Sequence, residues 1–385
     1  SKHPESEASC PYFLRCRQFK YIRANYGVNQ LDRELWSDAV RGLVPYRPGE
    51  QPSPGERVIK LNTNENPYPP SPACLSALRE GINADLRLYP DPEGRRLKET
   101  IAAAYGLGAE NIFLGNGSDE VLAHAFLALL KQGRPILFPD ITYSFYPVYC
   151  ALYGIAYETI PLDGAFQVIV ADYDRPNGGI VLANPNAPTG IAIGLAQIRS
   201  LLEQSPRSVV LVDEAYVDFG AESAVPLVAE YPNLLVVQTY SKSRALAGLR
   251  ISMACGAPSL VTALNTVKNS FNSYPLDRLA LIGAEAAFRD KEYFHNTCRR
   301  IMESREWLAG KLPDLGFEVL PSRANFLFVR HPSRRGGELQ HRLRQRGILV
   351  RHFPAPRIED FLRISIGTPE ECRTLVETLG EILAH

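Results

Sequence analysis

No charge of either sign dominates this sequence: 42 lysines and arginines balance 42 aspartates and glutamates over 385 residues. A balanced chain has no broad basic field with which to hold nucleic acid or an anionic membrane. Local runs such as Arg342-Leu343-Arg344-Gln345-Arg346 read as a solvated helix face. Long apolar runs are also missing, since none approaches the roughly 18–20 residues of a membrane span, and the N-terminal stretch lacks the apolar core of a signal peptide. Cysteine is sparse: the seven residues, at 10, 16, 74, 150, 255, 298 and 372, include no Cys-x-x-Cys pair. That scatter argues against a disulfide framework and for a reducing compartment. The seven histidines form no His-x-x-x-His pair and no cluster with cysteine, so no metal site is expected. We expect a cytoplasmic protein with no nucleic-acid or membrane partner.

What remains is an ordinary globular composition, 45% hydrophobic and 22% charged, long enough for two domains. Residues 1–30 are polar and read as a flexible extension, despite the apolar spot Tyr12-Phe13-Leu14. Leu31–Tyr46 reads as a short amphipathic helix, followed by a Pro- and Gly-rich link over Pro48–Gly55. From about residue 75 short apolar runs alternate with helical patterns. The strands are expected at Asn111–Gly115, Pro135–Phe138, Gly179–Ala183, Ser208–Val212 and Leu234–Gln238, with helices at Ser118–Lys131, Phe145–Tyr153 and Leu195–Gln204. This pattern predicts a mainly parallel sheet covered by helices on both faces. A long helical stretch, Asp277–Leu312, leads into a small α+β region of four strands and two helices. Its last helix opens on Thr368-Pro369-Glu370-Glu371, a capping box with proline at the first helical position.

Several strand-end loops carry reactive groups, and ligands collect at the carboxyl ends of such strands. Lys242, in Thr239-Tyr240-Ser241-Lys242-Ser243, follows one apolar run, and Arg250 opens the next. A lysine held among hydroxyls and near an arginine is placed to condense with an aldehyde that also carries a phosphate. The loop Gly115-Asn116-Gly117-Ser118-Asp119-Glu120 offers first-turn N–H groups to a phosphate, or else is a tight turn capped by Ser118. Val212-Asp213-Glu214-Ala215-Tyr216 sets carboxylates and a phenol at a strand end. Asp213 pairs with a protonated ring nitrogen and Tyr216 with a ring oxygen, or the pair is a helix cap and a core tyrosine. Asn184-Pro185-Asn186-Ala187-Pro188-Thr189-Gly190 is a rigid turn whose asparagines can reach a cofactor oxygen. Tyr143 can stack on an aromatic ring or lie in the core.

Taken together, Asn-Pro-Asn-Ala-Pro-Thr-Gly, Asp213-x-x-Tyr216 and Ser241-Lys242 with Arg250 resemble the fold-type I pyridoxal phosphate aminotransferases of classes I and II. Order and spacing agree over roughly residues 58–385. Lys60–Pro67, Tyr89–Gly94, Asn272–Arg278 and Leu362–Gly367 are similar to the histidinol-phosphate branch. The resemblance implies an α/β fold, with a seven-stranded large domain at 76–287, a small α+β domain at 288–385, and an arm at 31–75. It implies pyridoxal 5'-phosphate held by Lys242, with Asp213, Tyr216, Tyr143 and Asn186 around its ring. Gly117, Ser118, Asp119, Thr239, Ser241 and Arg250 would surround its phosphate. Tyr89 would reach the cofactor of a neighbouring subunit, making a homodimer with shared active sites. Arg351 and Arg363, with Asn325 and Tyr68, would receive histidinol phosphate and 2-oxoglutarate or glutamate. One position departs from the family turn: Ala187 stands where an asparagine directly precedes Pro-Thr-Gly.

Three alternatives keep the cofactor and differ in substrate or outcome. They are an aromatic amino acid aminotransferase, an amino acid phosphate decarboxylase, and a regulator that binds the cofactor without turnover. The last would need a DNA-binding module, and residues 1–57 are poorly patterned for one.

Overall fold

The computed structural model describes residues 34–384, and the extension expected over residues 1–30 lies outside the described residues. Residues 34–43 fall in a unit of their own, in which the single turn α1 (Asp38–Arg41) carries an Arg41–Asp38 ion pair at 2.8 Å. The helix expected over Leu31–Tyr46 is therefore only this turn among the described residues, with Gly42 at its C-cap.

From Val44 onward the chain forms β1 (Ile59–Leu61), α2 (Pro72–Gly81) and α3 (Arg95–Tyr105). Next come β2 (Ile112–Gly115), α4 (Gly117–Ala125) with a π-helical continuation over Phe126–Leu130, β3 (Ile136–Pro139), α5 (Tyr146–Tyr153) and β4 (Tyr157–Ile160). They are followed by β5 (Ile180–Ala183), α6 (Leu195–Gln204), β6 (Val210–Asp213), β7 (Leu234–Thr239) and β8 (Ser252–Gly256). Three helices succeed them, α7 (Pro258–Phe271), α8 (Arg278–Arg289) and α9 (Lys291–Lys311). The chain closes with β9 (Glu318–Val319), β10 (Phe326–Arg330), α10 (Gly336–Gln345), β11 (Ile348–His352), β12 (Phe361–Ser365) and α11 (Pro369–Leu383).

Seven strands form one sheet in the order β2-β8-β7-β6-β5-β3-β4, with β8 alone running against its neighbours. All of its strands except the edge strand β4 are buried, which is why they read as continuous apolar runs. Alternate residues enter opposite cores. Leu182, Val210, Val212 and Val236 pack with Leu97, Ile101, Ile198 and Ala284 from α3, α6 and α8. Val181, Leu211, Leu235 and Val237 pack with Leu122, Tyr149 and Leu264 from α4, α5 and α7. A second sheet, ordered β1-β11-β12-β10-β9, is covered by α9, α10 and α11 through Ile301, Leu308, Leu343, Leu375 and Leu379. Thus a large α/β part with a mainly parallel sheet is accompanied by a small α+β part.

The differences from the sequence reading have local causes. The expected helix Asp277–Leu312 is two helices, because Asp290 accepts the Tyr293 N–H at 3.2 Å and begins α9 afresh. Strand β4 is an edge whose first three residues are exposed, so it lacks the apolar run that marks its neighbours. The capping box is formed: Thr368 Oγ1 accepts from Glu371 N at 3.2 Å and Glu371 Oε2 from Thr368 N at 2.8 Å. Five cysteines, 74, 150, 255, 298 and 372, are free thiols and buried. Among the described residues no helix is long and apolar enough to cross a membrane, and no cluster of three or more potential ligands could hold a metal ion.

Candidate active site

The carboxyl ends of β5, β6 and β7 lie side by side, with Ala183 opposite Asp213 and Asp213 opposite Val237. Antiparallel β8 brings Arg250, two residues before its start, back to the same edge, where Ser252 faces both Gly115 and Thr239. This register is what gathers loops far apart in sequence.

Asp213 is only 5% exposed. Its Oδ2 accepts from Tyr146 Oη at 2.9 Å and its Oδ1 from the Ala215 N–H at 3.2 Å. Both donors are neutral, and among the described residues it has no ion-pair partner. Burial pushes its carboxyl up to about 6, against the two hydrogen bonds. A carboxylate kept here without a cation is a receptor for a protonated group. Its neighbour Glu214 points into the core, where Ala224 N, Ser223 Oγ and Gln238 Nε2 donate to it.

Lys242 is half-buried, and its Nζ donates to Thr63 O at 3.1 Å. Burial first, then the nearby Arg363 guanidinium, brings its ammonium down to about 8. That leaves a substantial neutral fraction of amine near neutrality, as a nucleophile or proton acceptor requires. The loop is pinned on both sides. Asn66 Nδ2 donates to Lys242 O at 2.9 Å, and Ser243 Oγ to Asp218 at 2.5 Å.

Gly117 begins α4 with φ +80, and a Cβ there would collide with the Arg250 guanidinium. Arg250 itself has φ +53 and pairs with Asp119 at 3.3 Å, while Tyr143 Oη donates to Asp119 Oδ1 at 3.2 Å. The Asp119 carboxylate is thereby engaged, and the first-turn N–H groups of a nine-residue helix face the arginine side. Thr239 Oγ1 accepts from Ser252 Oγ at 2.8 Å and from Ser241 N at 3.1 Å, closing this side. Tyr143 thus bonds the Asp119 side of the cradle, and its ring meets that of Tyr146, the donor to Asp213, at 5.5 Å. The donor set fits a phosphorylated, protonated aromatic aldehyde.

On the small sheet Arg351 and Arg363 are direct cross-strand neighbours. Like charges placed so repel, and burial together with Arg351 holds the Arg363 guanidinium below its ordinary value. Neither has a carboxylate partner among the described residues. Arg363 donates to Asn62 O at 3.0 Å and lies over Phe326 and Phe353, and its buried Nε lacks an acceptor. Such a pair is a receptor for an anion.

Residues 56–379 match the family model described as aminotransferase class I and II. The chain belongs to the class I and II aminotransferases. It is 58% identical over 349 residues to histidinol-phosphate aminotransferase 1 of Pseudomonas fluorescens, covering 91% of this chain and 99% of that one. It is 60% identical over 346 residues to the protein of the same name from Pseudomonas aeruginosa, covering 90% and 98%. Among solved structures it resembles histidinol-phosphate aminotransferase of Sinorhizobium meliloti in complex with pyridoxal-5'-phosphate, with a TM-score of 0.77 and 25% identity, covering 86% of this chain and 92% of that one.

Within this aminotransferase the structure gathers Gly117, Ser118, Asp119, Tyr143, Asp213, Tyr216, Thr239, Ser241, Lys242 and Arg250 around one strand edge, with Asn325 and Arg363 linked to it through the Asn62–Asn66 loop. Three further expected residues have these surroundings. Tyr68, expected at the substrate, packs in the small core beneath the Arg300 guanidinium, 3.9 Å from its ring centroid. Asn186, expected at the cofactor, ties its turn to the segment before Tyr143: Oδ1 accepts from Thr142, and Nδ2 donates to Ile141 O and Thr189 Oγ1. Tyr89 is 78% exposed and stacks on Tyr274 at 4.6 Å.

Other residues of the site gave no sequence signal. Tyr46 packs its ring against Phe145 at 4.7 Å and near Tyr143 at 6.5 Å, from an irregular segment far upstream. Tyr146 could have been suspected as a phenol three residues after Tyr143, where one helical turn returns to the same face. Asn64 had no comparable cue.

Proposed function

We propose that this chain is a histidinol-phosphate aminotransferase, moving an amino group reversibly between L-histidinol phosphate and 2-oxoglutarate to give imidazole acetol phosphate and glutamate. The observation that carries the reading is the paired Arg351 and Arg363, two guanidinium groups without a carboxylate among the described residues, near a Lys242 whose ammonium is brought down to about 8. Both substrates bring an anion, a phosphate monoester or a carboxylate, that such a fork can hold.

Pyridoxal 5'-phosphate supplies an electron sink for the charge left on the donor carbon when its proton departs. Lys242 Nζ would hold the aldehyde carbon by condensation with loss of water; once displaced by the amino donor, the freed amine would take the donor's α-proton and deliver it to the former aldehyde carbon. The buried Asp213 carboxylate would keep the ring nitrogen protonated. Tyr216 would donate its hydroxyl proton to the ring oxygen, and Tyr143 would cover the ring. Arg250, Thr239, Ser241 and the N–H groups of Ser118 and Asp119 would take the phosphate, with Gly117 leaving the space. Arg363 and Arg351 seat the substrate anion, assisted by Asn325.

We assign the large domain to residues 76–287 and the small domain to 288–385. Tyr89 belongs, in this reading, to the neighbouring subunit's site in a homodimer. Its support is the exposure of Leu86, Leu88, Tyr89, Phe271 and Tyr274, with Tyr89 stacked on Tyr274 at 4.6 Å. The free buried thiols suit the cytoplasm.

The test is glutamate formation from histidinol phosphate and 2-oxoglutarate by the protein loaded with pyridoxal 5'-phosphate. Lys242-dependent production supports the reading. A loaded protein that forms no glutamate from this pair excludes the substrate.

A further inference from the structure

The ring-oxygen side of the site has an unexpected owner. Asn186 and Asn184 are the asparagines of the turn expected there, and the side-chain amides of both are already hydrogen-bonded to other protein groups. Asn184 Oδ1 accepts from Ile193 N at 2.9 Å and its Nδ2 donates to Ile193 O at 3.2 Å, while the Asn186 amide is held by Thr142, Ile141 and Thr189. Ala187 brings only a methyl, packed with Ala324 and Phe326 against the Tyr216 ring. The amide that reaches the Tyr216 hydroxyl comes from the opposite side of the chain: Asn64 Nδ2 donates to Tyr216 Oη at 3.1 Å.

Its direction is fixed by a closed circuit. Asn64 N donates to Ser365 Oγ at 2.9 Å, so the Ser365 hydroxyl proton is free to donate to Asn64 Oδ1, at 2.7 Å. With Oδ1 thus occupied, the amide nitrogen must face Tyr216. Asn325 Nδ2 holds Asn64 O at 3.0 Å, and the backbone of Asn64 has φ +56, a conformation asparagine tolerates better than most residues. Because the Tyr216 oxygen accepts from Asn64, its own proton is turned away from the amide and polarised outward.

Resting on the cofactor reading above, we propose that Asn64 is the positioning residue for the Tyr216 hydroxyl, aiming its proton at the cofactor's ring oxygen in place of the turn asparagines. Ser365 lies two residues from Arg363 on β12, so the same circuit ties the strand that seats the substrate anion to the phenol that serves the cofactor.

A titration of the visible absorbance of protein loaded with pyridoxal 5'-phosphate tests this, alongside equilibrium dialysis of the cofactor and melting of the cofactor-free protein. A donor lost from the ring oxygen leaves more negative charge there, which holds the neighbouring proton more tightly. Asn64→Gly, which keeps the backbone conformation accessible, should therefore raise the midpoint by about three- to tenfold in proton affinity, in the same direction as Tyr216→Phe and by less. Asn64→Asp keeps the shape but takes the Tyr216 proton for itself, and should raise the midpoint further. In a Tyr216→Phe background Asn64→Gly should add nothing, since the two act as one unit. An unshifted Asn64→Gly, or an equal shift with and without the Tyr216 hydroxyl, overturns the assignment. If Asn64→Gly does not fold, Asn64→Asp and Ser365→Ala read the same midpoint, and no shift in either also overturns it. A wild-type protein with no Lys242-dependent visible band defeats the cofactor reading itself, and this assignment with it.

Discussion

The carboxyl edge of the large sheet and the arginine pair of the small sheet solve opposite problems with the same device. The first keeps a buried carboxylate, Asp213, without a cation, and an amine, Lys242, brought down to about 8. The second keeps two adjacent guanidinium groups without an anion. Each costs the free protein stability, and each is completed by a ligand of the opposite charge. Glu214 shows that the fold can satisfy a buried carboxylate when no ligand is due: it lies one residue from Asp213 and takes three neutral donors. Neither carboxylate has a cation among the described residues; what separates them is hydrogen bonding, three donors on Glu214 against two on Asp213.

Breaking the first region should have the largest effect. Lys242→Ala removes the amine proposed to move the α-proton and should lower kcat by about 10³-fold or more. Asp213→Asn withdraws the charge facing the ring nitrogen and should cost roughly 10²–10³-fold in kcat, read by steady-state rates at saturating cofactor. Damage to the second region should appear differently. Arg363→Met should raise KM for both substrates by about 10–100-fold with a smaller change in kcat. If kcat fell as far as in Lys242→Ala, the division of labour between the two regions would be wrong.

The comparison can also be sharpened by pH. Capture of pyridoxal 5'-phosphate by the cofactor-free protein needs neutral Lys242, so its rate should climb with pH and level off above about 8. A pH-independent rate between 6 and 9, roughly, would remove the depressed amine from the account. The smallest effect concerns stability. Asp213 binds its proton up to about 6 when folded, against an ordinary value of 3.8. Below the ordinary value both states are protonated and there is no penalty; above the folded value the penalty is full. Asp213→Asn should therefore melt roughly a few degrees higher than the wild type at pH 8, both free of cofactor, and the difference should vanish near pH 4.

The large sheet was readable because all its strands but β4 are buried and their residues enter two cores, giving continuous apolar runs. β4 escaped notice for the converse reason. Lys242, Asp213 and Arg250 were legible as reactive groups at run boundaries. Their partners were not. Tyr146 is 67 residues from Asp213, and Asn64 is 152 from Tyr216, so only the folded register brings them together. The surroundings of Tyr68 were hidden too, because a polar-tipped aromatic beside a site loop reads as a substrate contact, and its packing in the small core under Arg300 shows only in the fold.

Side-by-side kcat/KM values for histidinol phosphate, phenylalanine and tyrosine as donors to 2-oxoglutarate test the account most directly. Two anion receptors without partners predict that the phosphorylated donor is used most efficiently, and that Arg363→Met narrows its advantage. Equal or better use of phenylalanine or tyrosine would contradict it.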